Sequence, residues 1–326
     1  MARSLKVLLR KLIDYAGLFP PARLPLDEAI GNYARYRRQP EAWMLGRFIC
    51  PASRLEPLEQ HAALLDGGQP FAFSVLASGG IDQPVLLETL RADLEAINRF
   101  VERRGERVAP ELIEIKLPAG LGDDDAIRTL VARAAVLLDE CSPMALSPFY
   151  EVSIEGSWRE KIDAAVCALS LHNLERREKG EAAGTPRAGV KLRCGGASAA
   201  DYPSPEQIAH TLIACRDAKV PFKATAGLHH PIRHFNEPAE ATMHGFLNVF
   251  GAGVLAHALG LSEQHVVDIV ADQDVESFAF DDERLAWRSF SADLDAIAEA
   301  RDRMMISFGS CSFDEPHHDL RQLALL

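Results

Sequence analysis

Two lysines stand inside short apolar segments that have the composition of buried β-strands. Lys191 lies in GVKLRC, and Lys223 lies in PFKATAG, about one strand–helix–strand unit further along the chain. A lysine held near another cation and away from water has a lowered pKa, and the neutral amine can attack a carbonyl group to form a Schiff base. The pattern therefore predicts Lys191 as a nucleophile and Lys223 as the neighbour that lowers its pKa.

Other polar side chains interrupt the same kind of segment. They are Glu114, Lys116, Glu151, Arg193, Thr225 and Asn248. Residues two apart on a strand share a face, and burying an unpaired ion costs several kcal/mol, so we expect these side chains to meet in one barrel lumen near its carboxyl mouth. With Lys191 and Lys223 the cluster holds two carboxylates and four cations. That excess of positive charge predicts a small anionic substrate with a carbonyl group.

The chemistry predicted from this cluster is that of a lyase. Lys191 forms the iminium, Glu151 or Glu114 moves protons, and Arg193 binds a carboxylate or phosphate. The remaining substrate-binding candidates are Lys116, Thr225, His229, His230, Asn248, Gly251 and Gly253. Backbone N–H groups of the two glycines are expected at the start of the final helix. The alternative is a set of structural ion pairs, such as Glu151 with Lys191, that has no catalytic role.

Two further hypotheses stand beside the lyase, and the first of them rests on the segment GLHHPIRH. His229 and His230 lie just past a strand candidate, and with Glu151 they form a candidate ligand set for a metal-dependent hydrolase or isomerase. Their spacing matches no recognised ligand signature, and the leading mechanism uses no metal and no cofactor. A catalytically inactive barrel that binds a metabolite is the third hypothesis.

The elements that position these residues are short apolar segments alternating with helical patterns. The strand candidates are Leu12–Phe19, FICP around Phe48, FAFSVLA from Phe71, LIEIKLP from Leu112, FYEVSI from Phe149, GVKLRC from Gly189, PFKATAG from Pro221 and FLNVFGAG from Phe246. Strand-then-helix repetition predicts a parallel sheet closed as a (β/α)₈ TIM barrel, with Asp14 facing the mouth. We expect one domain over residues 1–326, with residues 261–326 as an extension packed on the barrel.

Four segments within about residues 188–260 resemble deoxyribose-phosphate aldolase. They are GVKLRCGG, PSPEQIAHTL, VPFKATAGL and VFGAGVLAHALG. The resemblance implies a class I aldolase on a (β/α)₈ barrel, with Lys191 at the Schiff-base position and Lys223 as the second lysine. It places Gly251 and Ala252 at the turn after the eighth strand. The family has Thr-Ser-Thr where this chain has Leu-Arg-Cys, and an aspartate on strand four to which Glu114 is the nearest counterpart.

Composition limits the partners and the compartment. The chain has 326 residues, 48% hydrophobic and 25% charged, which is ordinary for a globular protein. A net charge of −12 with no basic stripe argues against nucleic acid, and no apolar run approaches the length of a membrane span. The six cysteines form no C-x-x-C pair, which favours a reducing cytoplasm over a disulfide framework or structural zinc. The sequence leaves open whether the protein forms a homo-oligomer.

Overall fold

The computed structural model describes residues 1–65, 68–121, 124–142, 144–178, 187–196, 198–237 and 240–326. Eight parallel strands form a closed barrel, in the spatial order β1-β13-β7-β6-β5-β4-β3-β2. They are β1 (Ile13–Tyr15), β2 (Leu45–Pro51), β3 (Phe71–Leu76), β4 (Val108–Lys116), β5 (Ser147–Glu151), β6 (Gly189–Arg193), β7 (Phe222–Thr225) and β13 (Met305–Ser310). The predicted (β/α)₈ TIM barrel is confirmed.

Helices alternate with these strands and cover the outside of the barrel. They are α1 (Arg3–Leu9), α2 (Leu26–Tyr36), α3 (Leu55–Leu58), α4 (Gln83–Arg104), α5 (Asp124–Cys141), α6 (Trp158–Glu178), α7 (Pro205–Ala218), α8 (Phe246–Leu259), α9 (Glu263–Ala271), α10 (Leu294–Arg303) and α11 (Asp314–Gln322). Local sequence sets several of their ends. Ser204 and Gln207 form a capping box in front of α7, and Gly260 ends α8 in the left-handed region at φ 64°. None of the helices described has both the length and the apolarity needed to cross a membrane.

The eighth strand does not lie where the sequence predicts it. FLNVFGAG from Phe246 begins helix α8, and the barrel is closed by β13, which pairs with β7 and β1. Helix α8 is apolar and buried through its first eleven residues, so its composition resembles that of a buried strand. Part of the segment 261–326, predicted as an extension packed on the barrel, is therefore a strand of the barrel itself. The first strand is also shorter than the predicted Leu12–Phe19.

A long insertion separates the seventh and eighth barrel strands. It contains the hairpin of β8 (His234–Asn236) and β9 (Ala241–Met243), and then helices α8 and α9. A three-stranded antiparallel sheet follows, made of β10 (Phe278–Phe280), β11 (Arg284–Trp287) and β12 (Phe290–Asp293). Helix α8 packs directly behind β13. The contact is so close that a Cβ added at Gly253 would lie only 2.3 Å from the Met305 sulfur. The insertion therefore supplies the outer layer beside the closing strand.

Candidate active site in the barrel lumen

A buried ionic network fills the lumen on the side of β4 to β7. Lys191 Nζ lies 2.6 Å from Glu114 Oε2 and 2.9 Å from Glu151 Oε2. Lys223 Nζ pairs with Asp14 and lies 3.4 Å from Glu114 Oε1. All five side chains are at most 9% exposed. The two lysines and their carboxylates are thus brought together, as the spacing of charges in the strands predicts.

Strand register explains the meeting of the two lysines. Lys191 on β6 and Lys223 on β7 are direct register partners, and Glu151 on β5 is the register partner of Lys191. Side chains at paired positions of neighbouring parallel strands point to the same side of the sheet. Glu114 enters from β4, which pairs with β5. A polar layer of the lumen therefore holds Glu151, Lys191 and Lys223 at one level on three consecutive strands. Glu114, whose register partner on β5 is Phe149, joins this layer through its contact with Lys191.

Two serines complete the network. Ser74 Oγ on β3 donates to Glu114 Oε1 at 2.6 Å, and Ser307 Oγ on β13 donates to Asp14 Oδ2 at 2.7 Å. Lys223 Nζ also donates to Ser307 Oγ at 3.1 Å. Neither serine was predicted as a site residue, because a single serine in a strand is common and carries no signal of its own. Each hydroxyl adds a hydrogen bond to a buried carboxylate oxygen that Lys223 also contacts.

Arg47 on β2 extends the network from Asp14 to Glu111 on β4. Its backbone N–H donates to Asp14 Oδ1 at 2.8 Å, and its guanidinium lies 3.6 Å from the same oxygen and 2.8 Å from Glu111 Oε2. The Asp14 carboxylate is therefore held on both oxygens, by Arg47 on one and by Lys223 and Ser307 on the other. These contacts fix the position of the carboxylate in the lumen.

The charge balance of the buried layer differs from the prediction. The cations expected beside the two lysines were Lys116 and Arg193, but both end their strands with exposed side chains. The buried part instead holds three carboxylates, from Asp14, Glu114 and Glu151, against two ammonium groups. The predicted excess of positive charge is wrong for the buried layer, because exposed cations at strand ends keep their contact with water.

The pKa of Lys191 also departs from the prediction. Burial favours the neutral amine, but the carboxylates of Glu114 and Glu151 outweigh it and raise the pKa of Lys191 above its ordinary value. The expectation that Lys223 lowers this pKa is wrong for the resting site, because each lysine has its own carboxylate partner. Burial alone would raise the pKa of Glu114, but the two lysines and the Ser74 hydroxyl lower it to about 2. The resting network therefore consists of ion pairs.

The two histidines predicted near the mouth contact different partners. His229 Nδ1 lies 3.8 Å from Cys311 Sγ and 3.3 Å from Glu315 Oε2. His230 Nδ1 lies 2.5 Å from Asp319 Oδ2. Burial would lower the pKa of His229, but Cys311 and Glu315 raise it to about 9. The described contacts do not bring His229, His230 and Glu151 together as one ligand set. The histidines contact residues after β13, and Glu151 is paired with Lys191.

Three further predicted binding residues lie in helix α8 and not at a strand end. Asn248 is fully buried, donates to the carbonyls of Ile269 and Asp272 at 2.8 and 2.7 Å, and accepts from a backbone N–H of the preceding loop. Gly251 and Gly253 lie inside α8, which begins at Phe246, so their N–H groups are not at the start of a helix. The expected backbone anion site at these glycines is wrong for that reason.

Three other predicted residues lie at the carboxyl ends of strands. Arg193 ends β6 and donates to the Gly195 carbonyl at 3.3 Å, and Thr225 ends β7 as its register partner. Lys116 ends β4 and is the register partner of Glu151. Arg193 and Lys116 are exposed, and both lie two residues beyond members of the buried network on the same strands. They place positive charge at the mouth above that network.

Comparisons with known proteins do not place the chain in a family. No protein-family model matches the chain, and no curated protein matches it. The resemblance to deoxyribose-phosphate aldolase over about residues 188–260 stays a prediction. The lumen geometry is therefore the basis for a functional argument.

Proposed function

We propose that the protein is a lyase that cleaves or forms a carbon–carbon bond through a Schiff base on Lys191. The observation that carries the proposal is the position of Lys191 Nζ, buried between the carboxylates of Glu114 and Glu151 at 2.6 and 2.9 Å. Active sites of TIM barrels lie at the carboxyl ends of the strands, and Glu151 is the last residue of β5. A carbonyl compound that enters the mouth would meet Glu151 and Lys191 at the same level, because the two are register partners.

The first chemical requirement is a neutral amine. Lys191 rests as an ammonium, and a hydrogen-bonded carboxylate must take its proton before it can attack a carbonyl carbon. Glu114 is a poor acceptor because its pKa is about 2 and its Oε1 is held by Lys223 and Ser74. Glu151 is paired with Lys191 alone among the described contacts. We therefore assign proton transfer to Glu151 and charge balance to Glu114.

Burial lowers the cost of that proton transfer. An ammonium–carboxylate pair loses much of its solvation in a dry lumen, whereas an amine–carboxylic acid pair has no net charge on either group. Substrate entry displaces water from the mouth and shifts the balance further towards the neutral pair. The neutral amine then adds to the carbonyl carbon, and protonated Glu151 gives its proton to the departing hydroxyl, so that water and an iminium are formed.

The iminium then accepts the electron pair of the bond that breaks. The hydroxyl on the β-carbon loses its proton to the Glu151 carboxylate and becomes the carbonyl of the first product, while the electron pair forms an enamine on Lys191. Return of the proton from Glu151 to the enamine carbon restores an iminium, and water hydrolyses it to release the second product. No external oxidant or reductant is needed.

The substrate class follows from the charges at the mouth. Arg193 and Lys116 are exposed at the ends of β6 and β4, on either side of Glu151 on β5. A guanidinium and an ammonium in these positions favour a carboxylate or phosphate on the substrate. The proposed substrate is therefore a small anionic carbonyl compound or sugar acid.

Reductive trapping tests the proposal directly. The protein is incubated with pyruvate and sodium borohydride and then analysed by peptide mass mapping. We expect one stable adduct on Lys191, no adduct in Lys191→Met, and unchanged labelling in the matched control Lys219→Met, whose lysine is exposed after α7. Glu151→Gln should form the adduct about 100-fold more slowly, because the proton carrier is lost.

Two results would overturn the Schiff-base proposal. One is the absence of an adduct on Lys191 at saturating pyruvate, and the other is equal labelling of wild type and Lys191→Met. Pyruvate binding by calorimetry without any adduct would instead favour the metabolite-binding barrel.

A further inference from the structure

We propose that His229, Cys311 and Glu315 bind one divalent transition-metal ion of the zinc type at the mouth of the barrel. His229 follows β7 by four residues, and Cys311 directly follows β13, the neighbouring barrel strand. Glu315 lies in the first turn of α11. The site is thus built where the loops after the last two barrel strands meet, and it shares no residue with the lysine network.

The separations of the His229 nitrogen from the other two ligand atoms are close to those around a tetrahedral ion. The three atoms all lie within 4.8 Å of one another, with His229 Nδ1 3.8 Å from Cys311 Sγ and 3.3 Å from Glu315 Oε2. Zinc bonds of ordinary length at tetrahedral angles separate nitrogen from sulfur by about 3.6 Å and nitrogen from oxygen by about 3.4 Å. Rotation of the half-exposed Glu315 side chain would bring its oxygen and the Cys311 sulfur onto one ion with the His229 nitrogen.

Hydrogen bonding alone leaves this arrangement incomplete. Cys311 Sγ and Glu315 Oε2 both face the same nitrogen, His229 Nδ1, which carries one proton at most. That proton can be donated to the sulfur or to the carboxylate, but it bonds well to only one of them. A cation between the three atoms would satisfy the imidazole nitrogen, the sulfur and the oxygen together.

The ligand types select the class of metal. A thiolate and an imidazole favour zinc, cobalt or other borderline and soft ions over magnesium and calcium, which prefer oxygen. A neutral imidazole, a thiolate and a carboxylate together carry two negative charges, which a divalent ion neutralises. The Glu315 side chain is 52% exposed, so water can reach the fourth position of the ion. Among the described residues, this is the one group of three such side chains with converging ligand atoms.

Cobalt titration tests the site with a spectroscopic readout. Co²⁺ is added to the metal-free protein, and the near-ultraviolet thiolate-to-cobalt charge-transfer band is recorded together with the visible bands of a four-coordinate ion. We expect one Co²⁺ per chain with a thiolate band, and loss of that band in Cys311→Ser. The matched control Cys167→Ser removes the exposed cysteine of α6 and should keep the band.

Two other variants separate ligand loss from loss of folding. Glu315→Gln alters a half-exposed side chain, and we expect it to keep the thiolate band while weakening Co²⁺ binding about tenfold or more. His229→Gln should weaken binding at least as much. Zinc should raise the thermal midpoint of wild type but not that of folded Cys311→Ser.

The inference fails if wild type shows no thiolate band, or if the band survives in Cys311→Ser and disappears in Cys167→Ser. Failure of pyruvate trapping at Lys191 would leave these results unaffected, so the two proposals are tested separately.

Discussion

Lys191 and Lys223 are register partners on adjacent strands, and both ammonium groups contact one carboxylate. Lys191 Nζ lies 2.6 Å from one oxygen of Glu114, and Lys223 Nζ lies 3.4 Å from the other. Glu114 therefore separates two cations that would otherwise repel each other in a dry lumen. The arrangement makes this carboxylate the centre of the network, with Glu151 and Asp14 as the outer partners of the two lysines.

Replacing Glu114 should strongly destabilise the fold. In Glu114→Gln both lysines lose a shared negative charge, and removal of one partner from a buried ion pair costs roughly 3–5 kcal/mol. The free energy of unfolding is measured by urea denaturation. The matched control is Glu299→Gln, which removes an exposed ion pair with Arg303 and should change the free energy by less than about 0.5 kcal/mol. Equal losses in the two variants would contradict the central role of Glu114.

Stability should fall in acid through the same carboxylate. Folding lowers the pKa of Glu114 from 4.5 to about 2. A carboxyl group with a lowered pKa stabilises the fold above its unfolded pKa, and this contribution is lost as the pH falls from about 4.5 towards 2. Wild type should therefore lose stability over this range more steeply than Glu114→Gln in urea titrations at stepped pH. Parallel curves for the two proteins would refute the assignment.

Asp14 and Lys223 should behave as a coupled pair. Both side chains are fully buried, so Asp14→Asn and Lys223→Met each leave a charge without its main partner. We expect each single variant to lose about 3 kcal/mol or more. The double variant should lose less than the sum, by roughly 1–3 kcal/mol, in a double-mutant cycle from chemical denaturation. Strict additivity would show that the two groups do not stabilise each other.

Two glycines of helix α8 should respond differently to the same change. A Cβ at Gly253 would lie 2.3 Å from the Met305 sulfur, whereas at Gly251 the nearest atom is 3.7 Å away, on Phe278. Gly253→Ala should cost roughly 1–3 kcal/mol because it overpacks the contact between α8 and β13. Gly251→Ala should be neutral or stabilise by up to about 1 kcal/mol, because alanine favours helix. Thermal denaturation measures the midpoints of both variants, and equal midpoints would contradict the predicted difference in stability.

The barrel could be predicted from the repetition of strand and helix patterns, and much of the lumen network could be predicted because charges in apolar strands are rare. Lys191, Lys223, Glu114 and Glu151 stand out for that reason, and the structure brings them together. The eighth strand was missed because β13 (MISFGS) has serines and a glycine, which are typical of a loop. Ser307 is polar there because it contacts Asp14 and Lys223. A strand with a polar lumen face thus loses the apolar signal on which its recognition depends.

His229 stands out in the segment GLHHPIRH, but nothing in the sequence joins it to Cys311 and Glu315. The three residues come from two loops and a helix, and the spacing between them depends on the long insertion before β13. Metal motifs are recognised when ligands share one helix or one turn, as in the common zinc signatures. Here the ligands become neighbours only because β7 and β13 are adjacent in the barrel.

Closure of the barrel by β13 also determines when its last hydrogen bonds can form during synthesis. The hydrogen bond from Ser307 to Asp14 joins residues 293 positions apart, so a nascent chain on the ribosome cannot form it until β13 has been synthesised. Until then the edges of β1 and β7 are unpaired, and Asp14 and Lys223 lack part of their network. Such distant pairings form slowly and leave intermediates prone to aggregation. We therefore expect chains that stall before β13 to depend on chaperones and to be degraded.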